Sequence, residues 1–307
     1  MSNLNKPKCG TEQGNVGVCD CALAIEILEG FIPAPRGFKI LAADMADDAT
    51  FLEALQDATL AARSGRIYPV AISGTPTDNS QEPTAETLGN GGIAIVREGF
   101  YDITVQAEDN SLYLAQQLRT FNKSKMGVFV WDQNGTVWGI KSGEDLIPIP
   151  LELIFTDYKL PTASNIAQVL TRLVWDKAIF LAGFGFYELS PADLITLQGL
   201  KNIDLDVVSR AGAVINIKAT ILGCGDNLGD EYETEAEVVG MWTAVNAVTG
   251  ASLTITSIAF NSTTGNFVFT LSTNPTDPVT INLVGPVALK AGGISGYEST
   301  GKVTTAS

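Results

Sequence analysis

The stretch MGVFVWDQNGTVWGIK, residues 126–141, sets Asn134-Gly135 between two runs of aromatic and β-branched residues. Asn-Gly is the pair that a tight hairpin turn prefers, because its backbone must enter the left-handed region where side chains are crowded. Val128 to Trp131 and Thr136 to Ile140 therefore read as two antiparallel strands, and the chain reads as mainly β.

Working outward toward residue 1, Leu112 to Phe121 reads as a helix, and Ile93 to Val96 and Tyr101 to Val105 as short strands. Gly74 to Gly92 is a long polar loop, a length that usually carries function or is ordered by a neighbour. Arg66 to Ser73 reads as a strand. Ala46 to Ala62 has partial helical periodicity in Phe51, Leu52, Leu55 and Leu60, with Asp44, Asp47 and Asp48 near its start, where carboxylates favour the positive helix end. Residues 1–21 are polar and without periodicity, an extended arm.

In the other direction, Ile147 to Phe155 and Ala178 to Tyr187 read as strands, Asn165 to Val174 as a short helix, and Leu205 to Leu222 as a β pair or one long strand. Near 226 the composition changes. Val238 to Ala247, Ser252 to Phe260, Asn266 to Leu271 and Val279 to Val287 read as strands separated by turns at Thr249-Gly250, Thr264-Gly265 and Asn274-Pro275, the rhythm of a small β-sandwich. The expected fold is a β-rich α+β chain: an arm (1–21), a sandwich- or barrel-forming assembly domain with one or two helices (22–225), a small Ig-like sandwich without the Cys–Trp–Cys pattern (226–298) and a flexible tail (299–307).

The 307 residues are 45% hydrophobic and only 17% charged, below the ~25% charge of an average globular protein. That combination predicts surface buried between subunits. The formal charge of −15 opposes nucleic-acid binding, which needs cations to displace phosphate counterions, yet suits a wall that DNA slides past. The chain has no histidine, which removes Ser-His-Asp and Cys-His catalysis, most zinc enzymes and two-His iron sites. No apolar run reaches the ~18–20 residues of a membrane span, and the first residues lack a signal-peptide core, so synthesis in a cytoplasm is expected.

Each chemical motif has a plainer structural reading. Cys9, Cys19, Cys21 and Cys224 could in principle form a thiolate zinc site or a disulfide, but C-x9-C-x-C lacks the paired C-x2-C spacing, and free thiols are expected. Asp226, Asp230, Glu231, Glu233, Glu235 and Glu237 lack calcium-loop spacing and read as a solvated linker. Gly183-Phe184-Gly185-Phe186 and Gly89-Asn90-Gly91-Gly92 lack the full dinucleotide and P-loop patterns and read as turns or close backbone approaches. Asp132 with Asp145, or Glu152 with Asp157, could be drawn as a glycosidase pair, but nothing selects them. Trp131, Trp138, Trp175 and Trp242 read as core or interface residues rather than a sugar platform. No catalytic, cofactor-binding or metal-binding residue is assigned.

The arm, the β-rich body, the long loop and the Thr/Ser/Val-rich terminal sandwich together resemble virion proteins of tailed bacteriophages, and MGVFVWDQNGTVWGIK resembles segments of such proteins. The resemblance implies a self-assembling tail-tube subunit. Its rings would stack around a lumen, with the long loop and the arm bridging to the next ring. The partners would be further copies and other virion proteins. DNA would be a repelled, passing cargo, and the location would be the virion after synthesis in the bacterial host cytoplasm. A major capsid or other head protein is the alternative within this class, although no long spine helix is seen. A surface adhesin or carbohydrate-binding module, and more distantly a carboxylate hydrolase, are the alternatives outside it.

Overall fold

A computed structural model describes residues 3–5, 25–87, 93–164, 166–299 and 303–305. The chain is mainly β, with 44% strand and 19% helix, as the hairpin reading anticipated. It forms two compact units that divide between Gly199 and Leu200.

The first unit opens with β1 (Leu28–Pro35) and α1 (Asp48–Leu60), then three short strands, β2 (Val70–Ala71), β3 (Thr77–Asp78) and β4 (Thr84–Thr87). β5 (Ile93–Arg97), β6 (Phe100–Gln106) and α2 (Leu112–Arg119) lead to the hairpin of β7 (Met126–Asp132) and β8 (Thr136–Ser142). β9 (Asp145–Ile147), β10 (Ile149–Lys159) and β11 (Gln168–Asp176) follow, then α3 (Lys177–Gly183), β12 (Phe184–Glu188) and α4 (Pro191–Ile195). Ten of these strands form one sheet, running β12-β8-β7-β10-β11-β6-β3, with β1 also on β7, β2 on β1 and β9 on β8.

β7 is the hub of this sheet, and the pleat explains how it is buried on both faces. Val128 and Val130 face one core with Trp138, Leu151, Leu173 and Trp175. Phe129 and Trp131 face a second core with Phe51 and Leu55 of α1. β1 presses so closely on β7 that a Cβ on Gly30 would lie 1.8 Å from the Trp131 ring, so only glycine fits there. α1 begins where its carboxylates direct it: Asp47 accepts a hydrogen bond from Thr50 N at 2.9 Å and closes a capping box.

Among the described residues β4, in the long polar segment, and β5, just beyond it, pair only with each other. Every β4 residue is exposed, and among the described residues the pair lacks the third strand or packed helix that two-stranded sheets ordinarily need in water.

The second unit contains β13 (Lys201–Ala211), β14 (Val214–Ile221), α5 (Leu228–Ala236), β15 (Trp242–Asn246), β16 (Ser252–Leu253), β17 (Ile255–Asn261) and β18 (Asn266–Leu271). It ends with β19 (Val279–Leu283), α6 (Pro286–Ala291), β20 (Tyr297–Ser299) and β21 (Val303–Thr304). A sheet ordered β17-β18-β14-β13-β20 and another ordered β16-β15-β19-β21 enclose one core, in which Ile217, Phe267 and Phe269 of the first meet Trp242, Ile281 and Leu283 of the second. This is a sandwich, larger than expected.

Several expectations are corrected. The division lies at 199/200 rather than 225/226, because β13 and β14 pair with each other and β14 pairs with β18. The segment 165–174 is not a helix: its described part enters β11, paired along its length with β10 and β6. The segment 178–187 is not one strand, because Asp176 accepts from Ala178 N and Ile179 N and so starts a helical turn first. The strand expected at 66–73 shrinks to β2. The acidic linker at 226–237 is largely α5, capped by Asn227. The described part of the tail is not free: β21 pairs with β19, and Thr305 is buried and accepts from Val279 N. Residues 3–5 of the expected arm are likewise seated on the first unit, while the rest of residues 1–21 lies outside the described residues.

Candidate interaction surface

The sequence motifs resolve into structural roles. Asp132 is fully buried. One carboxylate oxygen accepts from Asn134 N and Thr136 N, both at 3.1 Å, and the other from Trp138 Nε1 at 2.9 Å and Glu26 N at 3.4 Å. It thus pins the hairpin turn, and its lone pairs are committed. Asp145 accepts from Ala42 N at 3.1 Å and lies 3.9 Å from Lys39 Nζ. Glu152 and Asp157 are both exposed on β10. Five residues of strand rise separate them by about 16 Å, beyond the ~9.5 Å limit of an inverting glycosidase pair.

The acidic stretch is put to structural use. Glu231 accepts from the Tyr297 hydroxyl at 2.5 Å and Glu237 from Phe260 N at 2.6 Å. Burial, followed by the Glu231 contact, raises the pKa of Tyr297 above its usual range. Among the described residues no group of three or more His, Cys, Asp or Glu could hold a metal ion. Cys224 is exposed and free; Cys9, Cys19 and Cys21 lie outside the described residues. Gly185 marks a close approach, since a Cβ there would sit 2.9 Å from Leu146 and 3.0 Å from Lys141 N. Gly89-Asn90-Gly91-Gly92 is outside the described residues. Trp131, Trp138, Trp175 and Trp242 are all buried core residues.

The feature that motif reading missed is an apolar cavity of about 510 Å³ in the first unit. Four segments far apart in sequence build it: Ile25 to Leu28 at the start of β1, Thr75, Pro76 and Asp78 at β3, Tyr101 and Ile103 on β6, and Trp175 near the end of β11 with Phe180 on α3. Val130 of the hub strand also lines it. Its aromatic wall is fixed by mutual contact, the Tyr101 ring lying 5.6 Å from Trp175 and meeting Phe180 edge-on at 6.0 Å. Lys177 Nζ stands 5.2 Å from the Tyr101 centroid and 3.6 Å from Glu82. Trp175 Nε1 is buried with no acceptor among the described residues.

Large apolar side chains are exposed on the cavity lining and on the segment that contributes Phe180 to it. Ile25 and Ile27, on its lining, are 44% and 51% exposed. α3 contributes Phe180 inward while Ile179 and Leu181 stay exposed, and Phe184 follows them outward. Large side chains exposed in such groups mark contact surfaces more often than isolated ones do. The chemistry offered at this surface is burial of apolar area. No helix among the described residues is long and apolar enough to cross a membrane. Comparison of the chain with protein-family models, curated proteins and solved structures gave no match.

Proposed function

We propose that this chain is a structural virion subunit of a tailed bacteriophage, which assembles with copies of itself into the stacked rings of a tail tube. The observation that carries the self-assembly reading is the uncovered apolar surface of Ile25, Ile27, Ile179, Leu181 and Phe184. A second copy covering it would remove that area from water at about 25 cal/mol per Å². The β4–β5 pair supports the same reading, since a partner strand would supply the third strand that it lacks among the described residues. The net charge of −15 supports a lumen that repels passing DNA. The role is structural rather than catalytic, and no cofactor is assigned.

Purified protein examined by negative-stain electron microscopy tests the reading. Hollow tubes or stacked rings are expected. Closed shells would transfer the chain to the head, and a monodisperse monomer at all concentrations would overturn self-assembly.

A further inference from the structure

β10 and β11 form one long antiparallel hairpin whose two ends differ in character. At one end Trp175 of β11, opposite Tyr101 of β6, lines the apolar cavity. At the other end the last pair is Lys159 with Gln168. The connection beyond that pair carries Leu160 and Ile166, 76% and 68% exposed. Tight connections are built from Gly, Pro, Asn, Asp and Ser, so the turn itself does not call for two large aliphatic side chains. Both stand outside the cores of their own unit.

The cavity and the tip are complementary in chemistry and in charge. Tyr101, Ile103, Val130, Trp175 and Phe180 give the cavity an apolar lining. Its volume of about 510 Å³ is in the range that takes a small organic ligand, so it has room for an aliphatic side chain and its neighbour. Glu26 and Asp78 also line it, and both are exposed to solvent. Lys177, the cation beside Tyr101, is engaged by Glu82 at 3.6 Å. Residues 158–168 of the tip carry a single charge, that of Lys159. An aliphatic knob beside a cation thus faces an apolar hole rimmed by two carboxylates, an arrangement that selects one docking register.

Leu160 is held away from the cavity of its own copy. Gln168 and Trp175 are the ends of seven strand intervals on β11, about 23 Å, and Leu160 lies beyond the residue opposite Gln168. Pairing with β10 and β6 keeps that strand extended. A knob and a hole at opposite ends of one strand make a head-to-tail contact, which closes into a ring or propagates as a filament.

We propose that the β10–β11 tip of one copy inserts Leu160 into the Trp175 cavity of the next copy, with Lys159 against Glu26 and Asp78. The inference rests on the self-assembly reading above and assigns it one pair of surfaces.

Two variants test it. Leu160→Asp spoils the tip and leaves the cavity intact, whereas Ile27→Asp spoils the cavity rim and leaves the tip intact. Both positions are more than half exposed, so each variant is expected to keep the melting temperature of the parent chain. In sedimentation velocity each alone is expected to stay monomeric under conditions in which the parent assembles. Mixed in equal amounts, they are expected to form a 1:1 pair of twice the monomer mass and nothing larger, because one intact tip meets one intact cavity and no second contact follows. A variant that assembles as the parent does, or a mixture that stays monomeric, would overturn the contact between tip and cavity and leave self-assembly standing. A parent chain that is itself monomeric at all concentrations would overturn both.

Discussion

The Trp138 indole donates to the Asp132 carboxylate at 2.9 Å across the turn that joins β7 to β8, so the residue that opens the turn also locks the strand leaving it. The same carboxylate takes two N–H groups of the turn and one from the segment entering β1. Replacement of Asp132 by alanine strands these donors in a buried site. The expected loss is about 3 kcal/mol or more, read as a lower denaturation midpoint. A loss below about 1 kcal/mol would contradict this account.

Arg172 and Asp102 form a bidentate pair, Nε to Oδ1 at 2.8 Å and Nη2 to Oδ2 at 2.5 Å, in which the two partners are unequally buried. The Asp102 side chain is 5% exposed and that of Arg172 49%. Hydrogen bonding to Asp102, reinforced by its charge, raises the pKa of Arg172. Removing the arginine leaves a buried carboxylate without its cation, whereas removing the carboxylate returns the guanidinium to water. Arg172→Ala should therefore cost about 2–3 kcal/mol and Asp102→Asn about 1 kcal/mol. Paired urea titrations check the order, and equal costs would count against it.

Tyr187 stacks on Phe51 at 4.2 Å and donates to Asp48 at 3.1 Å. Burial first, then the Asp48 contact, pushes its pKa from 10.0 up to about 12. Between those values the folded chain keeps a proton that the unfolded chain releases, so stability must fall as pH rises. The contribution is complete below pH 10 and gone above about pH 12. Tyr297 shifts in the same direction and adds to the slope. Melting temperatures measured from pH 8 to above pH 11 should decline steeply at the alkaline end. Tyr187→Phe should flatten that decline, and an unchanged slope would remove Tyr187 as its source.

What could be read from the sequence was what is local. Asn134-Gly135 fixed its hairpin because a turn and two short runs lie within sixteen residues, and Gly135 adopts φ +80° as that turn requires. The α1 helix was visible in its own periodicity. The α3 start went unread because an apolar run of 178–187 masks the one residue that decides it, the Asp176 cap. β11 went unread because Leu170, Leu173 and Val174 have helix-like spacing, and only pairing with β10 and β6 settles the matter. The cavity was invisible because its lining comes from residues 25 to 180, and only the finished sheet brings them together.

The division of the chain yields the sharpest contrast. Composition changes near 226, but hydrogen bonding places β13 and β14 with the strands that follow. Ile203, Leu205, Ile215 and Ile217 supply a wall of the second core, and Arg210 reaches Asp277 O and Thr305 Oγ1 at 3.0 and 3.1 Å. A fragment of residues 200–307 keeps all of this, so it should fold alone and unfold cooperatively. A fragment of residues 226–307 loses two of the five strands of its first sheet and exposes Phe267 and Phe269 together with the open edge of β18. Unpaired apolar edges of that kind aggregate, so the shorter fragment should be insoluble or should lack a melting transition. Cooperative folding of residues 226–307 would show that β13 and β14 are dispensable, and would restore the compositional boundary.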